Sequence, residues 1–202
     1  MLVVGCLIPV AYLLGTFPSA GIVARARGHD ILHEGSGNPG ASNTFRVLGW
    51  KAGLLVLILD IGKGAAAAGA GLALDGHAGA FTLGVAAVVG HVFPITRHFR
   101  GGRGVATAAG ALAVVFPLET AVLGAVWFAI ARGLHKASVA SIVCAVAFPA
   151  IVALRGGSAL DLAVTGGLAA LVVARHLSNL RRLVRGEEHG LGEEDDGGSV
   201  AA

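Results

Sequence analysis

Six long apolar runs, parted by short breaks rich in arginine, limit what this chain can fold into. The runs cover residues 2–23, about 52–74, 78–95, 105–131, 137–154 and 158–174. A helix needs roughly 20 apolar residues to cross a bilayer, and most of these runs come near that length. Composition points the same way: 55% of the 202 residues are hydrophobic and 13% are charged, against about a quarter charged in soluble domains. The surplus apolar surface must face lipid. The 32 glycines, with many alanines beside them, suit membrane helices that pack closely through small residues. A single membrane domain over 1–186 is expected, followed by an acidic, disordered tail over 187–202. Cys6 and Cys144 lie inside apolar runs and read as small buried hydrophobes. No basic residue precedes Arg25, so the first run reads as a retained helix and not as a cleaved signal.

Charge gives the topology. Thirteen of the fifteen lysines and arginines fall in four breaks, at 25–51, 97–103, 132–136 and 175–185. The positive-inside rule places all four in the cytoplasm and the N-terminus outside. The clusters at 97–103 and 132–136 then share a side, so two crossings must separate them. Only the 105–131 run lies between, and Pro117 and Glu119 interrupt it. Each half is about 12–14 residues, roughly 18–21 Å of helix, against a bilayer core of roughly 30 Å. The expectation is an all-α, polytopic bundle of seven transmembrane helices. Two short ones turn near Pro117, and the C-terminus is cytoplasmic.

Three polar segments stand on that cytoplasmic side. Residues 35–43 read GSGNPGASN, with Arg46 just after. Its glycines, serines and asparagines suit a backbone wrapped around a phosphate, and Arg46 adds a forked cation. A flexible connector would have a similar composition, and no Lys-Ser/Thr pair makes it a Walker loop. Next, His91-Val92-Phe93-Pro94 leads to Phe99-Arg100-Gly101-Gly102-Arg103-Gly104-Val105, a basic glycine turn opening into a helix. A helix N-terminus attracts anions, although a positive anchor for lipid headgroups would read alike. The third segment, 176–188, reads HLSNLRRLVRGEE. On a helix His176, Asn179 and Leu183 share a face, and an imidazole beside an amide can orient a hydroxyl. A basic juxtamembrane helix is the plainer alternative. Asp60 and Lys63, three apart in an apolar run, read as a mutual pair. Ser138 and Ser141 open the run at 137, where their hydroxyls can cap a helix or meet a ligand.

Taken together, GSGNPGASNTFR, GHVFP with FRGGRGVAT, and HLSNLRRLVRGEE resemble, in order and spacing, the three signature motifs of the PlsY family. These are acyl-phosphate–glycerol-3-phosphate acyltransferases of the bacterial membrane. The resemblance implies transfer of an acyl group from acyl phosphate to the 1-hydroxyl of glycerol 3-phosphate. The products are lysophosphatidic acid and phosphate, the first step of phospholipid synthesis, on the cytoplasmic face of the inner membrane. It implies that Ser36, Gly37, Asn38, Asn43 and Arg46 hold the glycerol phosphate. His91, Gly101, Gly102, Arg103, Gly104 and Ser141 contact substrate, His176 and Asn179 position the reacting groups, and Glu188 supports the site. Arg103 stands where the family has lysine, Arg100 replaces another common lysine, and Leu177 stands where arginine is frequent. Arginine keeps the charge but demands planar, forked geometry.

The chemistry is coherent. An acyl phosphate carries its own leaving group, so the enzyme's task is to hold two anions together, and proximity can supply roughly 7–11 kcal/mol. The proton acceptor is His176 or a substrate phosphate. No metal-ligand cluster is visible and no cofactor is expected. The His-x4-Asp motif of other glycerolipid acyltransferases is absent. The expected partners are glycerol 3-phosphate, acyl phosphate and membrane lipid, not nucleic acid; delivery by the soluble enzyme that makes acyl phosphate stays open. A transporter of a phosphorylated solute would also use broken helices, but it should show paired repeats and a midplane site.

Overall fold

The computed structural model of the chain describes residues 2–188 and 190, and among these every regular element is helical. The expected acidic tail lies, from residue 191 on, outside the described residues.

Helices α1 (Leu2–Gly15) and α2 (Ser19–Arg25) form one apolar rod broken around Pro18. Helix α3 runs nominally from Ala41 to Val92. It is folded back on itself at Asp75 (φ −152°) and Gly76 (φ 59°), and Gly49 (φ 80°) sets its first two turns apart. The close pairs across the fold are Gly71 with Gly79, Ala68 with Gly84, and Lys63 with His91. Partner numbers that fall as their mates rise are the signature of an antiparallel hairpin. The runs at 52–74 and 78–95 are therefore its two limbs. A single 3-10 turn, Ile95–Arg97, leads to α4 (Val105–Val115), α5 (Pro117–Leu134), α6 (Ala137–Leu154), α7 (Ala159–Arg175) and α8 (Leu177–Val184). Helix α8 bends 52° from α7.

The expectation of two short helices needs correction. The break falls at Phe116 (φ −129°), with Pro117 in the first turn of α5, where its missing N–H costs nothing. The halves are unequal: α4 has 11 residues and α5 has 18, about 17 and 27 Å long. Only α4 is short. Helix α5 continues past the apolar run through Arg132 and stops where His135 turns left-handed (φ 53°).

Among the described residues, four helices are long and apolar enough to cross a membrane, the folded α3 counting once, and the bent α7–α8 pair would add a fifth. Between apolar helices in lipid the gain comes from close packing rather than water release. Here α1 meets the second limb of α3 where a β-carbon at Gly15 or Gly90 would collide with backbone of Ala87 or Tyr12. Gly64 and Gly110 let α4 approach the first limb equally closely. Phe81, Leu112, Leu123, Phe148 and Leu168 fill the centre between α3 and α4–α7.

The contacts define two ends. Phe116 and His77 meet at 5.9 Å, and His77 reaches Asp161 at the start of α7. Arg175, at the end of α7, reaches Gly101 before α4, and Lys136 before α6 reaches the Glu188 carbonyl. The breaks around residues 103 and 136 therefore lie at one end of the bundle, as the charge pattern required, and the turns at 75–76, 116–117 and 155–158 at the other.

Candidate active site

Each of the three motifs contributes to one polar cluster. The first forms a loop stapled by a single side chain. Asn43, 1% exposed, accepts from the Ser36 amide (2.8 Å) and donates to the carbonyls of Ile31 (3.2 Å) and Glu34 (3.0 Å). Gly37 sits in left-handed space (φ 66°), and Ser36, Gly37 and Asn38 are half-buried along the loop. Arg46 donates to Asn43 Oδ1 (3.2 Å) and to the carbonyl of Gly190 (3.0 Å). The asparagine expected to touch a ligand is thus the loop's fastener, and its oxygen is shared with Arg46.

The glycine turn also differs from a simple phosphate cradle. The N–H groups of Gly101 and Gly102 donate to the carbonyls of Val92 and His91, both at 3.1 Å. A β-carbon at either would collide with His91, so these glycines pack the turn against the end of α3. Gly104 supplies the left-handed residue (φ 84°) that starts α4. What remains for an anion is the N-terminal turn of α4 and the Arg103 side chain. Burial lowers the Arg103 pKa to about 10, opposed by the Glu188 carboxylate and reinforced by Arg182, Arg46 and Arg175 nearby. The guanidinium stays charged at neutral pH but is poorly solvated, a state that an anionic ligand would relieve.

The third motif places its polar groups at the α7–α8 bend. His176 is 1% exposed, and its Nδ1 lies 2.7 Å from the Val172 carbonyl. A carbonyl only accepts, so Nδ1 carries the proton and neutral His176 offers the Nε2 lone pair. Asn179, 2% exposed, donates to Glu188 Oε1 (2.6 Å) and keeps a buried Oδ1 without a partner among the described residues. Glu188 also receives Arg182 Nε (3.1 Å) and the Ser138 hydroxyl. Burial raises its pKa, and the bonds from Asn179, Ser138 and Arg182 more than reverse that, leaving it below the usual value.

Arg46, Arg103, His176, Asn179 and Glu188 are therefore brought together, with Asn43 one bond behind. Ser141 is engaged elsewhere: it donates to the Ala137 carbonyl (2.8 Å) and accepts the Trp127 indole N–H (3.0 Å). His91 is buried beneath the glycine turn, 2.8 Å from Lys63. Sequence reasoning missed Arg175, Arg182 and Lys136 as site residues. Arg175 ties the third motif to the second through Gly101 (3.1 Å) and lies over the Phe93 ring at 5.7 Å. All three sat in segments already marked as basic, but only the fold tells which arginines of a charged helix turn inward.

A sequence model of the family described as "Glycerol-3-phosphate acyltransferase" matches residues 5–186. A relative of that name from Salinibacter ruber is 45% identical over 89% of this chain and 88% of its own length. One from Bacillus cytotoxicus is 42% identical over 93% and 95%. Among solved structures, PlsY, an integral membrane glycerol 3-phosphate acyltransferase, in its glycerol 3-phosphate form superposes with a TM-score of 0.89 at 34% identity. The match covers 94% of this chain and 96% of PlsY. The lysophosphatidic acid form gives 0.86. Carried by likeness along nearly the whole length and by three motifs meeting at one end of the bundle, the chain belongs to the glycerol-3-phosphate acyltransferase family and is an acyltransferase.

Proposed function

We propose that this enzyme transfers an acyl group from acyl phosphate to the 1-hydroxyl of glycerol 3-phosphate, releasing lysophosphatidic acid and phosphate. In this reading the bundle crosses a bacterial inner membrane seven times, with the N-terminus outside and the polar end in the cytoplasm. One observation carries it. Four guanidiniums drawn from three distant segments gather at one place: Arg46, Arg175 and Arg182 lie near Arg103, and the Glu188 carboxylate, bonded by Arg182, lies among them. Buried His176 and an unpartnered amide oxygen stand beside them. Such an excess of desolvated positive charge suits two phosphorylated substrates held at once.

The hydroxyl oxygen of glycerol 3-phosphate attacks the acyl carbonyl carbon, and the bond from that carbon to the phosphate oxygen breaks. The hydroxyl proton passes to His176 Nε2 or to the departing phosphate. Asn179 Oδ1 accepts from the glycerol hydroxyl and orients it. Arg46 and the Ser36–Asn38 loop hold the glycerol phosphate, while Arg103 and the first turn of α4 hold the phosphate of the donor. Developing negative charge on the carbonyl oxygen is met by the same cations. Ser141 serves by fixing Trp127 against α6. A site at one end of the bundle suits an acyl tail lying in the bilayer and delivery of acyl phosphate by the soluble enzyme that makes it.

The test is phosphate release from a long-chain acyl phosphate by the purified protein, with and without glycerol 3-phosphate, and with acyl-CoA as the alternative donor. Release that requires glycerol 3-phosphate and yields lysophosphatidic acid is expected. Turnover with acyl-CoA alone would overturn the donor assignment.

A further inference from the structure

Below the glycine turn, away from the arginine cluster, lies a charged group that the proposed chemistry does not use. Asp60, Lys63 and His91 are 2%, 5% and 5% exposed. Lys63 Nζ stands 2.8 Å from Asp60 Oδ1, 2.8 Å from His91 Nδ1 and 3.2 Å from the Phe17 carbonyl. The Ser19 hydroxyl donates to Asp60 Oδ1 at 2.7 Å. The group thus links the α1–α2 break to both limbs of the α3 hairpin.

An ammonium has three hydrogens and no lone pair. The three neighbours of Lys63 take one hydrogen each, so His91 Nδ1 must be an acceptor. The imidazole is then neutral, with its proton on Nε2. That edge of the ring lies against Gly102, where a β-carbon would overlap Nε2 itself. The same residue's carbonyl accepts the Gly102 N–H, and Gly101 in turn carries the carbonyl that receives Arg175. From Asp60 to Arg175 every link is a direct contact or a peptide bond.

We infer that the buried Asp60–Lys63 pair is a positioning device for the active site, holding His91 as the Nε2–H tautomer that seats the glycine turn beneath Arg103 and Arg175. Lys63 acts through His91 and the turn and touches no substrate. The inference rests on the acyl-transfer reading for its kinetic consequence, but not for its structural one. Single loss of either charge would leave the other buried without its counter-ion, so the informative variant removes both as Asp60→Asn/Lys63→Met. A displaced anion site far from any lost contact costs about tenfold to a hundredfold in rate.

The first measurement is nitrogen NMR of histidine-labelled protein in lipid nanodiscs, with His91→Gln identifying the signal. The wild type should show Nδ1 bare and Nε2 protonated, and Asp60→Asn/Lys63→Met should lose that single tautomer. A wild-type His91 that is charged, or protonated at Nδ1, overturns the inference. The second is kinetic. Asp60→Asn/Lys63→Met should lower kcat/KM about tenfold or more. In a His91→Gln background, where the amide replaces Nε2–H, adding the same pair should cost little further. Equal losses in both backgrounds mean a general structural role and sink the proposal. Wild-type protein that shows the expected tautomer yet turns over no acyl phosphate would defeat the acyl-transfer reading while leaving the tautomer lock in place.

Discussion

The two ends of the bundle both bury charge, and they treat it in opposite ways. At the end away from the motifs, Glu119 pairs with Arg155 and His77 with Asp161, one partner each. Asp161 also closes a capping box with Ser158, and the rings of His77, Phe81, Phe116 and Phe148 pack edge-on around them. At the motif end, Glu188 pairs with Arg182 and lies near Arg103, which has Arg46, Arg175 and Arg182 close by. Asn179 Oδ1, Arg175 Nε and Arg182 Nη2 stay buried without partners among the described residues. Thr120 Oγ1 is the comparable orphan among the described residues near the far end. A buried polar group left unmatched costs about 1–3 kcal/mol. Concentrating that cost at one end makes sense where a ligand supplies the missing partners.

The largest effect should come from emptying the motif end. Asn179→Ala removes the unpartnered oxygen and the bond that holds Glu188. Arg46→Ala removes the cation that links the first loop to Gly190. Each should lower kcat/KM roughly 10²–10³-fold, read as phosphate release dependent on glycerol 3-phosphate. Glu119→Gln, at the far end, should leave kcat/KM near the wild type. A loss there as large as at Asn179 would erase the distinction between the ends.

Stability should separate the same two carboxylates. Glu188 is 7% exposed and holds Asn179, Arg182 and Ser138; Glu188→Gln should cost about 1–3 kcal/mol and reduce activity as well. Glu119→Gln should cost about 1 kcal/mol or less, since Arg155 is 57% exposed and can return to water. The folded pKa of Glu188 lies below its ordinary 4.5. Its contribution is therefore complete above pH 4.5 and is lost as pH falls through the lowered value. Thermal midpoints measured across that acid range should fall less steeply in Glu188→Gln than in the wild type. Parallel curves would mean that the carboxylate adds nothing to the fold.

Much of this was legible in the sequence because membrane helices and their charge bias are local signals. The apolar runs became helices, and Asp75-Gly76 and Phe116-Pro117 became turns close to where composition broke. The site was legible only as three segments. Nothing in GSGNPGASN says that Asn43 fastens the loop, because its partners, Ile31 and Glu34, are ordinary residues whose carbonyls point inward only after folding. Gly101 and Gly102 looked like phosphate binders because glycine-rich turns often are. Their N–H groups instead finish the α3 helix, a demand set by where α3 ends and invisible in the motif itself. Arg175 and Arg182 were hidden among like residues: the face of a basic helix that turns inward depends on a 52° bend at His176.

The smallest effect expected is also the one that most sharpens the contrast between the ends. Arg103 stands where the family resemblance calls for lysine, so Arg103→Lys restores a familiar residue without changing the charge. If the motif end binds phosphate chiefly through charge, the swap should be nearly silent. But Arg103 is poorly solvated, faces Glu188 and lies near three other guanidiniums, and a planar fork gives a phosphate paired, parallel hydrogen bonds where an ammonium acts as a compact point charge. Arg103→Lys should therefore raise the KM for acyl phosphate about tenfold, the worth of roughly one charge-assisted hydrogen bond, with kcat little altered. An unchanged KM would mean that the site needs only a cation at 103. A loss confined to kcat would place Arg103 on the carbonyl oxygen in the transition state instead of on the bound phosphate.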